Sequence, residues 1–165
     1  RHPSEGMRSL RRAARVYERI VWLAQLGRAW GWLTGQPAHL LDLAAEKPRC
    51  VTGSARPGGL QTVEVRRILG SEGRSRDFDR RFLPLRKCTR ERWISIAAAQ
   101  LMGISLPPVS LIQVGERYYV RDGHHRVSVA RVLGQEYIEA EITVWELAEV
   151  CQPAGASMLT PLPVI

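Results

Sequence analysis

The sequence has few cysteines and no long uninterrupted apolar run, and each shortage excludes a class of protein. Cys50, Cys88 and Cys151 lie far apart in the 165 residues and lack the spacing of a zinc site or of a disulfide framework. We interpret them as reduced thiols that fill small apolar spaces, with Cys50 and Cys88 open to a reactive role, and we therefore expect a cytoplasmic protein. The apolar stretch at residues 20–33 is interrupted by Arg28, so it does not predict a transmembrane helix, and we expect no membrane partner.

Lysine is also scarce, because only Lys47 and Lys87 occur among the 24 basic residues. Residues 1–90 carry 19 Lys or Arg against 8 Asp or Glu, a net charge of +11, whereas residues 91–165 carry 5 against 8, a net charge of −3. An arginine-rich half attracts nucleic acid, nucleotides or an acidic membrane surface. A GC-rich genome that encodes arginine in place of lysine is the alternative explanation.

The pattern of residues 7–46 predicts a basic N-terminal helical hairpin. Apolar residues recur at three- to four-residue spacing and predict an inward face made of Val16, Ile20, Leu23 and Trp30. Gly35 to Pro37 breaks the first helix, and a second short helix is predicted over residues 38–46. Tryptophans at helical spacing are typical of a core or a subunit interface, more so than of nucleobase stacking, and the segment holds Trp22, Trp30 and Trp32.

Glycine and proline cluster in residues 47–61, which predicts a linker and a domain boundary. Residues 62–150 then alternate strand and helix patterns, and residues 151–165 form a proline-containing tail that we expect to be extended. The N-terminal helices or this tail are candidate surfaces for a homodimer.

Within residues 62–150 the pattern predicts an α+β domain with a small mixed sheet. We predict strands, a polar basic loop and two helices, in the order strand 62–69, loop 70–76, helix 90–102, strand 109–114, strand 118–121, helix 124–133 and strand 137–144. Gly115 and Glu116 join the middle two strands as a hairpin. Thr89 is a candidate N-cap, but Arg92 occupies the position where a capping box has Glu or Gln.

The segment Asp122-Gly123-His124-His125-Arg126 follows a predicted strand and begins a helix, which predicts a phosphate-binding turn. A helix N-terminus offers unpaired amide groups and a partial positive charge. Gly123 permits close approach of a ligand, Arg126 can donate to phosphate oxygens, and His124 and His125 add further donors. Asp122 fits three roles, namely N-cap, ligand of a bridging Mg²⁺, or base for a hydroxyl group. A plain surface turn is the alternative interpretation.

The run from Tyr118 to Arg131, followed by Leu133-Gly134 and a strand, resembles the ParB N-terminal domain superfamily, which is also known as the ParB-like nuclease domain. That superfamily includes sulfiredoxin and an ADP-dependent free-serine kinase. The resemblance covers about residues 62–146, is specific in residues 118–131, and implies a ParB/sulfiredoxin-like fold.

The residues at positions 122–126 differ between branches of the superfamily. The serine kinase has Asp-Gly-His-Thr-Arg, which is the most similar box and matches Asp122, Gly123, His124 and Arg126. The resemblance implies an Asp near the transferred phosphate and a Glu base after the first strand, for which Glu72 is the candidate. ParB proteins have Gly-Glu-Arg-Arg here and bind CTP; His124 and His125 replace the central pair. Sulfiredoxin has its catalytic Cys where His124 stands, which argues against sulfinic-acid reduction.

The loop at residues 70–76 corresponds to a second, basic box of ParB proteins, so the resemblance implies that Arg74 and Arg76 reach a phosphate or a nucleobase. The alternative is a solvated loop.

Three functions follow from these patterns. The first is an enzyme that binds ADP, ATP or CTP with Mg²⁺ and transfers or hydrolyses phosphate, with Asp122 and Glu72 as catalytic candidates. The second is a DNA-binding module related to chromosome partition, although no helix-turn-helix pattern follows residue 146. The third is a nuclease, for which the sequence shows no carboxylate cluster with two-metal spacing.

Overall fold

The computed structural model describes residues 3–35, 39–45, 51–86 and 89–147. Over these ranges the chain is an α+β protein with a six-stranded mixed sheet, so the predicted fold class is confirmed. The helices are α1 (Pro3–Thr34), α2 (Arg90–Leu101) and α3 (His124–Val132). The strands are β1 (Leu41–Asp42), β2 (Val51–Glu64), β3 (Ile68–Ser71), β4 (Val109–Val114), β5 (Arg117–Asp122) and β6 (Tyr137–Leu147).

The sheet has the strand order β1-β3-β5-β4-β6-β2. Strands β1, β3 and β5 run parallel to one another, and β5 and β4 form the predicted antiparallel hairpin. Strands β4 and β6 are parallel, and β6 and β2 are antiparallel. The parallel pair β3 and β5 therefore ends at one edge, where Ser71 pairs in register with Val120 just before the turn into α3. This arrangement brings the loop after β3 to the start of α3.

The predicted linker at residues 47–61 is wrong for the residues that the structure describes, because β2 covers Val51–Glu64. This strand lies at the edge of the sheet and pairs with β6, with register shifts around Pro57. Proline is tolerated on an edge strand because one side of the strand makes no ladder hydrogen bonds. The predicted strand 62–69 is likewise divided, since a 3₁₀ turn at Val65–Arg67 separates β2 from β3. The domain boundary placed in this segment stays a prediction.

The core has two main parts that meet at α3. On one sheet face, α3 packs Val127 against side chains of the central strands. Its opposite side carries Val129 into a helical cluster with α1 and α2. The buried Trp93 indole on α2 donates a hydrogen bond of 2.9 Å to the Ser128 hydroxyl on α3. These contacts hold α3 between the sheet and the outer helices, so the N-terminus of α3 has a defined position relative to both.

Strand β6 confirms the predicted alternation. Ile138, Ala140, Ile142 and Val144 contact the main sheet cluster, and Glu139 and Glu141 are exposed. The helix predicted at 90–102 and the helix predicted at 124–133 are confirmed as α2 and α3, each within one residue at its C-terminal end. The tail at residues 151–165 lies outside the described residues.

The predicted N-terminal hairpin is wrong. Helix α1 is a single helix of 32 residues, and strand β1 and one helical turn at residues 43–45 occupy the described part of the expected second helix. The buried inward face of α1 consists of Ala13, Tyr17, Ile20 and Ala24, and Val16 packs partly buried against the same cluster. Of the predicted inward residues, Val16 and Ile20 are therefore confirmed, whereas Leu23 and Trp30 are exposed. Trp22 and Trp30 are exposed, as is Trp32, so none of the three belongs to the core. None of the described helices is both long and apolar enough to cross a membrane.

Candidate functional site

The turn between β5 and α3 is built around Gly123, which has a φ of 95°. This left-handed conformation is easily adopted only by glycine, and a Cβ atom here would lie 2.6 Å from a Val109 methyl carbon. The Gly123 carbonyl accepts the first helical hydrogen bond, from the amide of Val127 at 3.0 Å. Gly123 is the N-cap and provides no side chain, so the amides of residues 124–126 have no capping partner from it. The N-cap role considered for Asp122 is therefore wrong.

Arg126 contacts protein acceptors on both sides of the turn. One terminal nitrogen donates to the carboxylate of Asp122 at 2.8 Å, and the other donates to the carbonyls of Pro107 and Pro108 at 2.5 and 2.8 Å. Asp122 is well exposed, with 70% of its side-chain surface accessible, whereas the Arg126 side chain is 13% accessible. The guanidinium thus anchors the segment before β4 to the turn. These bonds use three of its five N–H donors, so two remain for a phosphate oxygen.

His124 and His125 are buried, with relative exposures of 5% and 6%. The His124 Nε2 atom lies 2.7 Å from the Ser71 hydroxyl oxygen, and its ring stacks on Phe78 with a centroid distance of 5.9 Å. Burial and, to a lesser extent, the charge of Arg74 together lower the pKa of His124 to about 4. Burial also lowers the pKa of His125 to about 4, with an added contribution from Arg92. Both rings are therefore neutral at neutral pH, and each has one N–H to donate.

The Nδ1 atom of His125 is buried and has no hydrogen-bond partner among the described residues. Buried polar atoms usually find a partner, and leaving one unpaired costs about 1–3 kcal/mol. His125 lines the cavity at this turn, so a ligand group is one source of the missing partner.

A small cavity of about 90 Å³ lies at the start of α3. It is lined by all five residues of the turn, Asp122 to Arg126. The other lining residues are Ile96 and the arginines Arg74, Arg92 and Arg121. Four guanidinium groups thus surround one carboxylate. The predicted residues of the turn and Arg74 are brought together here.

Arg92 and Arg121 line the cavity although the sequence did not single them out as site residues. Arg92 lies in the first turn of α2, where the capping-box pattern predicts an acidic or amide residue, and this departure was the available signal. Arg121 is the penultimate residue of β5. Only the pairing of β5 with β3 shows that its side chain reaches the loop at residues 70–76.

The other predicted residues of that loop lie around the cavity and do not line it. The carboxylate of Glu72 accepts a hydrogen bond of 2.9 Å from Nε of Arg121. The amide of Arg74 donates to the Ser71 hydroxyl at 3.0 Å, which directs this part of the loop toward the turn. Arg76 is exposed and is not among the lining residues.

The residues of the turn do not form a magnesium site by themselves. Among the described residues no group of three or more His, Cys, Asp or Glu side chains is placed to hold a metal ion. Asp122 is the carboxylate of the cavity, and Arg126 already pairs with it. Because Mg²⁺ in phosphate chemistry is often held by one or two carboxylates together with the phosphates, Asp122 would hold such an ion only in company with a nucleotide.

A larger cavity of about 710 Å³ lies beside α1 and the 3₁₀ turn, and it shares no lining residue with the cavity at α3. Its lining includes Ile20, Leu23 and Tyr137. Three of its charged residues are already paired, because Arg66 pairs with Glu64 and Arg81 pairs with Asp79, which lies outside this lining. Its lining also includes Arg131, whose Nε atom is buried and has no hydrogen-bond partner among the described residues.

No family model and no curated protein matches this chain. Among solved structures, sulfiredoxin from Arabidopsis thaliana is similar over 50% of this chain and 82% of its own, with 20% sequence identity and a TM-score of 0.34. A similarity at this level carries no argument about ligand or reaction. The resemblance of residues 118–131 to the ParB superfamily stays a prediction.

Proposed function

We propose that this protein binds the phosphate groups of a nucleotide at the N-terminus of α3. The observation that carries the proposal is the cavity in which four arginines and the first-turn residues of α3 surround a single carboxylate. Helix N-termini bind anions through free amides and through the helix dipole. The lining arginines add positive charge and forked donors that match phosphate oxygens.

The electrostatics of the cavity favour an anion over a neutral ligand. Arg74 and Arg92 lower the pKa values of the neighbouring histidines, which shows that their positive potential extends into the site. Because both histidines are neutral, they can donate to a phosphate oxygen without adding charge.

Two carboxylates hold two of the arginines in position. Asp122 binds Arg126, and Glu72 binds Arg121, each at 2.8 to 2.9 Å. If a phosphate replaces the carboxylate as the partner of one of these guanidinium groups, that carboxylate is released. This exchange links ligand binding to the appearance of an available base.

The proposed reaction is phosphoryl transfer to a hydroxyl group or to water. The acceptor oxygen attacks the terminal phosphorus of the nucleotide, the bond from that phosphorus to the leaving phosphate oxygen breaks, and the acceptor proton passes to Asp122. Asp122 suits this role because its side chain is mostly exposed and can meet an acceptor from solvent. Glu72 is the second candidate base. Mg²⁺ bound with the nucleotide would neutralise phosphate charge, and Asp122 would be its protein ligand only where Glu72 is the base.

Binding is tested by calorimetric titration with ADP, ATP, CTP and pyrophosphate, each with and without Mg²⁺. We expect at least one of them to bind, and we expect Arg92→Gln to weaken binding at least tenfold, about 1.4 kcal/mol. Arg80→Gln is the matched control, because Arg80 is exposed and does not line the cavity. Absence of binding by all four compounds would overturn the proposal.

Phosphoryl transfer is tested separately in Asp122→Asn with the nucleotide that binds. We expect the variant to retain nucleotide binding and to lose most release or transfer of phosphate. Equal turnover in the variant and the parent would remove Asp122 from the mechanism while leaving phosphate binding intact.

A further inference from the structure

We propose that the solvent-facing side of α1 binds the surface of an anionic phospholipid bilayer. This surface, which we term the α1 outer face, is one row of residues at three- or four-residue spacing. Its first half is basic and its second half is apolar, in the order Arg8, Arg12, Arg15, Arg19, Trp22, Leu26, Trp30 and Leu33. The proposal concerns a different surface from the cavity at α3 and does not depend on nucleotide binding.

The α1 outer face lies opposite the side of the helix that packs on the protein. At 100° per residue, the buried residues Ala13, Tyr17, Ile20 and Ala24 fall on the reverse side of the helix. Those residues belong to the helical cluster with Trp93 of α2. Because the packed side already joins α1 to the protein, the outer face is available for a partner.

The apolar half exposes large side chains that a solvated helix would rarely carry. Trp22 and Trp30 are 63% and 69% exposed, Leu33 is 71% exposed, and Trp32 beside the row is 86% exposed. Contiguous exposed apolar side chains mark interaction surfaces, and isolated ones do not. Tryptophan in particular is enriched where membrane meets water, because its ring is apolar and its N–H is polar.

The charge of α1 identifies the partner as an anion. The helix carries six arginines against Glu5 and Glu18, and Glu18 is occupied by Arg90 of α2 at 3.1 Å. The basic half of the outer face contains no acidic residue. Basic residues near a bilayer that contains anionic lipid each contribute about fivefold to binding.

An anionic bilayer satisfies both halves of the row, whereas the alternative partners satisfy one. A nucleic acid would bind the arginines and leave Leu26 and Leu33 in water. A second copy would cover the apolar half but would bring a helix of the same positive charge. A lipid surface offers phosphates to Arg15 and Arg19 and an apolar boundary to the tryptophans and leucines. The expectation of no membrane partner rested on the lack of a spanning segment, and a contact with the bilayer surface needs no such segment.

The test is flotation of the full chain with vesicles of phosphatidylcholine, either alone or mixed with phosphatidylserine. We expect the protein to float with the mixed vesicles, to float poorly with phosphatidylcholine alone, and to dissociate as salt is raised. Absence of flotation with the mixed vesicles at low salt would overturn the proposal.

Two variants separate the halves of the row. Trp22→Gln/Trp30→Gln removes apolar contacts and should lower binding to the mixed vesicles at least tenfold. Arg15→Gln/Arg19→Gln removes two basic contacts and should lower it by about 25-fold, at about fivefold each. Leu60→Gln is the control for loss of an exposed apolar residue elsewhere, and it should bind like the parent. Unchanged binding of the tryptophan variant would refute a bilayer contact through this face.

Two further measurements distinguish the competing partners. Duplex DNA should not compete for the tryptophan-dependent binding, and light scattering should show no self-association that the tryptophan variant abolishes. DNA binding that requires both tryptophans would identify nucleic acid as the partner of this face. Tryptophan-dependent self-association without vesicle binding would identify a second copy of the chain as the partner.

Discussion

The Nε2 atom of His124, the first residue of α3, lies 2.7 Å from the hydroxyl oxygen of Ser71, the last residue of β3. Both side chains are buried, and the same hydroxyl accepts the amide hydrogen of Arg74 at 3.0 Å. Ser71 therefore connects the loop after β3 to the turn before α3. This single side chain determines that Arg74 and the helix N-terminus share one cavity.

Replacing Ser71 with alanine should destabilise the protein by about 1–3 kcal/mol, because it leaves the buried His124 nitrogen and the Arg74 amide without this partner. Urea unfolding measures the loss. Ser95→Ala on the exposed side of α2 is the control and should change stability by no more than about 0.5 kcal/mol. Equal stability of the Ser71 variant and the parent would mean that this hydrogen bond does not organise the site.

Alanine variants of two glycines with positive φ separate the energetic cost of the backbone conformation from the cost of close packing. Gly134→Ala, at φ 72° with open space around the added methyl group, should cost about 1–2 kcal/mol. Gly123→Ala, at φ 95°, adds a contact of 2.6 Å with Val109 and should cost about 1–3 kcal/mol more. Thermal or urea unfolding of the two variants gives the comparison, and an equal loss in both would argue against tight packing at the phosphate-binding turn.

Acid should destabilise the fold through the two buried histidines. Their pKa values are about 4 in the folded protein, against about 6.5 in the unfolded chain. The unfolded chain therefore binds more protons between these values, so stability is complete above about pH 6.5 and falls as the pH drops toward about 4. A loss of about 1 kcal/mol lowers Tm by about 2–4 °C in a chain of this size, and two histidines should exceed that.

Scanning calorimetry between about pH 7.5 and about pH 5 measures this slope, and proton NMR of the imidazole resonances locates the groups. Resonances of His124 and His125 that titrate near 6.5 would contradict their neutral state in the folded protein.

Sequence patterns predicted the candidate site more accurately than they predicted the N-terminal region. Patterns of period two and 3.6 located β6, α2 and α3, because these elements bury one face each. Residues 51–61 were misread, because pairing with β6 at an edge overrides the turn preference of glycine and proline. Ser71 and Arg121 join the site only through the parallel pairing of β3 with β5, which local patterns do not contain.

Arg74 and Arg76 are equivalent in the sequence but not in the structure. Both residues are exposed, but Arg74 lines the cavity and Arg76 does not. We expect Arg74→Gln to weaken nucleotide binding at least tenfold, about 1.4 kcal/mol, and Arg76→Gln to weaken it less than threefold, about 0.6 kcal/mol. Calorimetric titration of both variants decides between them, and an equal loss would favour a diffuse basic loop over a defined phosphate site.

The most direct test of the proposed site is a ¹⁵N-labelled NMR titration with ADP, ATP, CTP and pyrophosphate that follows the backbone amides. Amides that bind a phosphate shift strongly, so we expect the largest changes at residues 124–126. Changes confined to the arginines of α1, or no change at residues 124–126 with any of the four compounds, would contradict a phosphate site at the start of α3.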